Sequence, residues 1–301
     1  MLAFGAVDDE KNIELELDKI YDDLMDLAIE EMDLEWSEQD LPFWFYFKKK
    51  LALFGIWIIL SSMKHQKILG IDTNAKTVKG VDSGYMTGIV YLAPSDESGV
   101  ANTCPNASKG CRASCLFTAG RGSMNNVRNP RINKTISFFA DKTAWVSRLK
   151  GEISSAKKKA MKKHLQFVVR LNGTSDIAWE NENVIQTENK TQFYDYTKSP
   201  KRMVDFLDGK MPSNYHLTFS KSENNDAVCD LVLRKGGNVA MVFKDHAKVV
   251  EEGEYTFMGR KYKVINGDEN DLRFLDPKNC IVALKAKGKA LKDTTGFVIL
   301  N

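Results

Sequence analysis

Cysteine is scarce in this chain, and the few cysteines are unevenly placed. Only five occur in 301 residues: Cys104, Cys111 and Cys115 share one short loop, whereas Cys229 and Cys280 stand alone. We do not expect a disulfide-stabilised secreted scaffold, because the chain is long, the cysteines are odd in number and no cleavable secretory signal precedes them. The three clustered thiols therefore need another explanation.

Sequence motifs of several large protein classes are also missing. The sequence has no P-loop, no G-x-G-x-x-G turn, no H-E-x-x-H helix and no nucleophile elbow. Its uninterrupted apolar run at residues 51–60 is about half as long as a membrane-spanning helix requires, and Lys48, Lys49 and Lys50 precede it. We expect no transmembrane span and a cytoplasmic protein.

The charge is divided unevenly along the chain. Residues 1–40 contain fifteen Asp or Glu and two Lys, a net charge of −13, which leaves +16 on the remainder although the whole chain carries only +3. Apolar residues recur in the acidic part at intervals of four and three, as in an amphipathic helix. They are Ile13, Leu17, Ile20, Leu24 and Leu27. Residues 11–36 are predicted to be helical, either to bind a partner helix or to pack on the protein itself.

The composition changes again near Met63, where a polar and basic stretch begins. We predict that residues 1–62 form an accessory segment, an acidic amphipathic helix followed by an apolar stretch. The functional domain is predicted to comprise residues 64–301. An upstream start that does not belong to the functional protein would also explain residues 1–62.

Short apolar runs alternate with helical patterns in residues 64–301. Strands are predicted at residues 87–93, 165–171, 191–196, 214–220, 238–243, 263–265 and 280–286. Helices are predicted at residues 131–163, 199–207 and 225–235. This alternation predicts an α/β fold on a parallel sheet, either open or curved into a partial (β/α) barrel.

The cysteine loop, residues 103–122, follows the first predicted strand. Thiolates bind soft metals and iron–sulfur clusters, and Pro105 and Gly110 can bend the loop so that its sulfurs converge. Three thiolates would leave one iron of a cluster open to a small molecule. A structural zinc site would instead need a fourth ligand from one of four histidines, His65, His164, His216 and His246. The sequence predicts a metal or cluster site, with three incidental thiols as the remaining interpretation.

Polar residues follow nearly every predicted strand. Active sites of parallel α/β folds collect at the carboxyl ends of the strands, so we predict one polar cavity there. The candidate catalytic residues are Arg170, Asp176, Tyr194, Asp195, Lys198 and His216. The candidate cofactor-binding residues are Asn172, Thr174, Thr218, Ser220 and Glu223. Each of these alone is also explained as an ordinary turn or capping residue.

A run of lysines gives one predicted helix a basic face. Its members are Lys157, Lys158, Lys159, Lys162 and Lys163. Such a face is usually only solvated, but it can also contact phosphates. It lacks the interleaved aromatic residues that would make nucleic-acid binding specific. Nucleic acid is therefore a candidate partner through this face.

Eight segments follow one another in a characteristic order. They are CPNASKGCRASCLFTAGRG, VRNPRINKT, VRLNGTSDIAWE, FYDYTK, NYHLTFSKSENN, GGNVAMVF, INGDENDLRFLDP and ALKAKGKA. In combination they resemble the bacteriophage gene product 88 family over about residues 64–300, whereas residues 1–62 lie outside the resemblance. It implies a phage or prophage protein that acts in the cytoplasm of the bacterial host, and it carries no activity with it.

A more distant resemblance is to the radical S-adenosylmethionine enzymes, which carry three cysteines in the loop after the first strand of a partial barrel. Only Cys104, Cys111 and Cys115 correspond, their spacing is C-x6-C-x3-C instead of C-x3-C-x2-C, and no glycine-rich cofactor motif follows. The resemblance implies a [4Fe-4S] cluster on these cysteines, S-adenosylmethionine at the open iron and an unknown small-molecule or macromolecular substrate. The alternatives are a non-enzymatic zinc-binding protein and a nucleic-acid-binding accessory protein.

Overall fold

The structure is a computed structural model, and it describes residues 66–72 and 74–300. The helix predicted at residues 11–36, the apolar run at 51–60 and the domain boundary near residue 63 lie outside the described residues and stay predictions. None of the helices in the described part of the chain has the length and apolar character that a membrane span needs.

Ten strands of the described residues form one mixed sheet. Their bounds are β1 Leu69–Ile71, β2 Tyr85–Val90, β3 Gln166–Arg170, β4 Gln192–Thr197, β5 Tyr215–Ser220, β6 Val239–Phe243, β7 Glu254–Phe257, β8 Arg260–Asn266, β9 Cys280–Lys285 and β10 Val298–Ile299. The spatial order is β1-β2-β3-β4-β5-β6-β9-β8-β7, and β10 pairs with the end of β6. Neighbours from β2 to β8 are parallel, whereas β1 and β7 pair antiparallel at the two edges.

Eight α-helices lie between these strands in the described part. Their bounds are α1 Ala75–Lys79, α2 Lys109–Ala113, α3 Asn125–Ala140, α4 Lys142–Lys162, α5 Val184–Thr187, α6 Pro200–Leu207, α7 Asp226–Arg234 and α8 His246–Glu252. The prediction of one helix over residues 131–163 is wrong. The chain turns at Asp141, whose side chain accepts a hydrogen bond from the Ala144 backbone N–H at 2.9 Å and so caps α4.

The predicted α/β class is confirmed, and the sheet is open and not closed into a barrel. Every predicted strand is present, with ends shifted by a few residues. Strands β1, β7 and β10 were not predicted. The β7–β8 hairpin turns at Met258 and Gly259, both with positive φ, a two-residue turn without the Asn-Gly or Asp-Gly signal that usually marks one.

The two faces of the sheet have different surroundings. One face packs against α4, α6, α7 and α8 through the main hydrophobic core, which includes Leu149, Met203, Val232 and Val249. The opposite face, here called the inner face, carries side chains of alternate strand positions, namely Arg170, Tyr194, Tyr196, His216 and Thr218. It is covered by residues 267–276, here called the covering segment, whose Leu272 and Phe274 pack on Tyr194.

The inner face lies on the inside of a curved sheet. Lys76 follows the β1 edge, whereas Gly267 and Asp268 follow β8 near the opposite edge. The Lys76 ammonium nevertheless donates to the Gly267 carbonyl at 2.8 Å and pairs with Asp268 at 3.0 Å. Parallel strands lie about 4.8 Å apart, so only a curved sheet brings these two regions together.

Gly88→Ala is expected to lower the free energy of unfolding by about 1–3 kcal/mol, because overpacking strains a filled core. The added methyl group would lie 2.7 Å from Phe167 Cζ and 2.9 Å from Leu69 Cδ2. Gly151→Ala in α4 is the matched control, since nothing lies within 4 Å of the new methyl group. Helix propensity should make that variant more stable by about 0.5–1 kcal/mol. Urea unfolding followed by circular dichroism measures both, and destabilisation of equal size would contradict the packing argument.

Candidate functional site

The three clustered cysteines lie at the carboxyl ends of the parallel strands. The loop is tied there at its start, where the Thr103 hydroxyl donates to the Ala93 carbonyl at 2.6 Å. The Cys104 thiol donates to the Thr174 carbonyl at 3.6 Å, beyond the end of β3. The cysteine loop is therefore attached to the chain that leaves both β2 and β3, and we call this place the thiol edge.

Glu223 fixes the middle of the cysteine loop. Its carboxylate accepts hydrogen bonds from the Ser108 hydroxyl at 2.6 Å and from the Gly110 backbone N–H at 2.7 Å. Ser108 in turn caps α2 by accepting from the Cys111 N–H at 3.2 Å. Because Glu223 comes from the loop after β5, it holds the thiols over a distant part of the sheet.

Glycine is required at position 110 for steric reasons. A Cβ atom there would collide with the Thr295 hydroxyl and lie 2.7 Å from Phe297 Cβ. The chain segment before β10 thus packs directly on the cysteine loop. The ring centroid of Phe297 lies 5.7 Å from the Lys198 ammonium, so this cation is also at the thiol edge.

The three thiols are close enough together for Cys111 to contribute to the pKa of Cys104, and for Cys104 and Cys111 to contribute to the pKa of Cys115. Burial raises the pKa of Cys104, and it raises the pKa of Cys115 to about 11, with smaller contributions to both from the neighbouring thiols. Lys198 acts on Cys115 in the opposite direction, and Arg131 on α3 is also within electrostatic reach of Cys115. Three thiols and two cations therefore share this place. Among the described residues, no three His, Cys, Asp or Glu side chains are arranged around a single metal-ion position.

Asp176 connects the thiol edge to a buried group of ion pairs. Its N–H donates to the Thr103 carbonyl at 2.8 Å, and its carboxylate accepts from the Lys198 backbone N–H at 2.8 Å. The same carboxylate pairs with Arg202 at 2.6 Å, and Arg202 also pairs with Glu180 at 2.7 Å. Asp176 thus positions both the start of the cysteine loop and the backbone of Lys198.

Asp195 and Asn172 lie on the helix-covered side of the sheet. Asp195 accepts hydrogen bonds from the Asn172 N–H at 2.7 Å and from the Tyr215 hydroxyl at 2.8 Å. The Asn172 side-chain oxygen accepts from Ser175 at 2.8 Å and from the Trp179 indole at 3.1 Å. This network orders the loop that follows β3. Burial raises the pKa of Asp195 to about 7.

The inner face holds a third group of predicted site residues. Arg170 pairs with Asp271 of the covering segment at 2.9 Å, and the Tyr194 hydroxyl donates to the same carboxylate at 3.4 Å. Thr218 is fully buried, and His216 packs edge-on against Phe206. Burial lowers the pKa of His216 to about 4, with a smaller contribution from a nearby arginine.

The predicted site residues therefore occupy separate environments and not one polar cavity. The thiol edge has the three cysteines with Thr174, Asp176, Lys198 and Glu223. The helix-covered side has Asn172 and Asp195. The inner face has Arg170, Tyr194, His216 and Thr218. Ser220 ends β5, where its carbonyl accepts from Asn225 at 3.0 Å.

An open cavity of about 1070 Å³ lies beside the cysteine loop. Its walls include Asn102 and Asn106 from the chain around Cys104, together with Asp176, Glu180 and Arg202. The sequence did not point to Arg202. Arg202 precedes Met203 on a helix that packs on the core, and a charged residue at such a position was the one sign in the sequence that it could be buried and paired.

The family model for gene product 88 matches residues 63–301, most of the chain. The chain belongs to the gene product 88 family. No curated protein and no solved structure matches this family member significantly. The first resemblance drawn from the motifs is thereby confirmed, whereas the comparisons lend no support to the resemblance of this gene product 88 protein to the radical S-adenosylmethionine enzymes.

Asp195 should make the stability of this gene product 88 protein depend on pH. An unfolded aspartate titrates near 3.9, so the folded state with its raised pKa holds the proton more tightly. The contribution of Asp195 to stability is therefore complete below about pH 4 and falls as the pH rises to about 7. The difference in unfolding free energy between wild type and Asp195→Asn should shift against wild type over this range.

Urea unfolding at several pH values measures that difference. Asp208→Asn is the control, because Lys235 lowers the pKa of this surface carboxylate and it stays ionised over most of the range. If the difference in unfolding free energy between wild type and Asp195→Asn does not change with pH, Asp195 is not a buried carboxyl with a raised pKa.

Proposed function

We propose that this gene product 88 protein binds a [4Fe-4S] cluster through Cys104, Cys111 and Cys115 and uses it in an enzymatic reaction. The observation that carries the proposal is that one loop holds three thiols at the carboxyl ends of the parallel strands, with Cys104 and Cys111 both within electrostatic reach of Cys115. Cysteine thiolates are the ligands of iron–sulfur clusters, so each thiol would lose its proton on binding. All three are free cysteines and only partly buried.

The charges around the thiols support this assignment. A cluster with three thiolate ligands is negatively charged overall, and burying that charge needs compensation. Arg131 and Lys198 are both within electrostatic reach of Cys115. Lys198 is also held in place, because Asp176 accepts a hydrogen bond from its backbone N–H. The thiol edge thus offers cations where a cluster would add negative charge.

A site with an open position fits the described histidines better than a closed zinc site. His164 follows α4 and precedes β3, so it lies at the amino end of that strand and away from the thiols. His216 is on the inner face, and the His246 ring lies 3.2 Å from the Ala283 carbonyl. The three described histidines therefore have other surroundings, and three thiolates alone would leave one iron free.

The cavity next to the cysteine loop supports a role in binding a substrate. When bound, an open-site cluster supplies one-electron reduction to a ligand at its free iron, and S-adenosylmethionine is the ligand that the more distant resemblance implies. Thr103, Pro105 and Asn106 of the cysteine loop line this cavity. Asp176, Glu180 and Arg202 would bind and orient a polar substrate there.

Anaerobic purification followed by reconstitution with iron and sulfide tests the proposal. We expect a brown protein with about four irons and four sulfides per chain. Cys104→Ala, Cys111→Ala and Cys115→Ala should each lose most of the iron, because each removes one ligand. Cys229→Ala and Cys280→Ala are matched controls and should keep it, since both thiols lie alone in the core.

Other outcomes would replace the proposal. A colourless protein with one zinc that depends on the same cysteines would indicate a zinc-binding protein. Nucleic-acid binding that weakens steeply with salt, and survives replacement of all three cysteines, would indicate the lysine face of α4. Iron that remains bound after the three replacements would show that the thiols are not its ligands.

A further inference from the structure

Several polar atoms of the inner face are buried without a hydrogen-bond partner. They include the donors or acceptors Arg170 Nε, His216 Nε2, Thr218 Oγ1, Arg273 Nε and Arg273 Nη1, all from one side of one sheet and its covering segment, together with Asp276 Oδ2 beside Arg273. More than nine-tenths of buried polar groups in proteins have a partner. Such a concentration therefore indicates a missing partner shared by these side chains.

These side chains occupy adjacent positions. Tyr194 lies opposite His216 in the register of β4 and β5, and Tyr196 lies opposite Thr218. Arg170 follows the pair Val169–Phe193 and so lies beside Tyr194, with its guanidinium 4.7 Å from the Tyr196 ring. Polar groups of three neighbouring strands thus lie at adjacent positions on one face of the sheet.

Arg273 completes this group from the covering segment. Only 1% of its side chain is exposed, and its one carboxylate partner, Asp276, lies at 3.3 Å without hydrogen-bond geometry. A buried guanidinium is costly unless its N–H groups are hydrogen-bonded. Arg273 Nη2 donates to the Asn270 carbonyl at 2.9 Å, whereas Nε and Nη1 have no acceptor, so two nitrogens of this guanidinium can bind a further oxyanion.

Asp271 shows which kind of group fits between these residues. Its carboxylate lies 2.9 Å from Arg170 Nη1, and its other oxygen lies 3.3 Å from the same atom. The Tyr194 hydroxyl donates to it at 3.4 Å. Charge-assisted bonds of this kind are how arginine holds free carboxylates and phosphates. The Arg170 side chain keeps 17% of its surface exposed, whereas only 4% of the Asp271 side chain is exposed, so an external oxyanion would have to displace Asp271 to take its place.

We infer that the inner face is a binding site for a small oxyanion, a carboxylate or phosphate group, which Arg170 and Tyr194 hold in the place that the Asp271 carboxylate takes here. Arg273, His216 and Thr218 supply the further polar contacts. Asp271 is then an internal competitor that the ligand displaces. This site lies on the sheet face and not at the thiol edge, so it stands whether or not the cysteines hold a cluster.

Nuclear magnetic resonance of arginine Nε–H groups in the ¹⁵N-labelled full-length wild-type chain tests the site directly. Inorganic phosphate and acetate are added separately, at constant ionic strength maintained with sodium chloride. The Nε–H signals of Arg170 and Arg273 should shift and saturate, and Arg170→Lys and Arg273→Lys identify them. The Arg202 signal is the internal control, because its Nε already donates to Glu180 at 2.7 Å.

The pattern of shifts distinguishes the two sources of the oxyanion. Saturation with phosphate alone assigns a phosphate site, and saturation with acetate alone assigns a carboxylate site. No saturating shift with either anion, or equal shifts in Arg170 and Arg202, would overturn the inference. The titration itself uses the wild-type chain. Variants have to fold only for the assignment of the Arg170 and Arg273 signals.

Asp271→Asn should strengthen binding of the effective anion by about tenfold or more, since it removes the competing carboxylate. Glu269→Gln is the matched control, because it removes the same charge from an exposed position of the same segment. That variant should change the affinity less than twofold. Equal affinities of a folded Asp271→Asn variant and of Glu269→Gln would show that Asp271 does not occupy the site.

Discussion

The parallel pairing of neighbouring strands from β2 to β8 is the constraint on which the rest of this structure depends. It brings the carboxyl ends of these strands to one edge, so the loops that leave them have to share that edge. The cysteine loop follows β2, Thr174 and Asp176 follow β3, Lys198 follows β4 and Glu223 follows β5. Residues far apart in the sequence therefore meet around the thiols, because β2, β3, β4 and β5 are successive neighbours in the sheet.

Successive side chains of a strand lie on opposite faces of the sheet, and this determines which groups each of them can contact. Tyr194 and Asp195 are consecutive, yet Tyr194 contacts Asp271 on the inner face and Asp195 binds Asn172 and Tyr215 on the helix-covered side. Asp195 is therefore best explained as a structural residue, because its carboxylate is fully buried and hydrogen-bonded. The inner face, by contrast, keeps polar groups without partners. The two faces thus differ in how their polar groups are hydrogen-bonded although one sheet supplies both.

The sequence was sufficient for the parts that local patterns determine. Apolar runs identified the parallel strands, and the position of the cysteines after the first run placed them at the strand ends. The sequence was not sufficient to predict which face of the sheet each side chain lies on or which residues it contacts, because these depend on strand register and on segments distant in the chain. Asp271 and Arg273 come from a loop that returns across the inner face. Arg202 is a charged residue on an otherwise core-facing part of α6, where the pattern alone favours packing.

In the proposed site, three thiolates hold a cluster with one iron that no cysteine binds. Mössbauer spectroscopy of the protein reconstituted anaerobically with ⁵⁷Fe tests it most directly, before and after addition of S-adenosylmethionine. We expect a [4Fe-4S] spectrum in which about one iron in four changes its parameters when S-adenosylmethionine is added. A folded protein without a cluster spectrum, or a cluster whose four irons all resist the ligand, would contradict it.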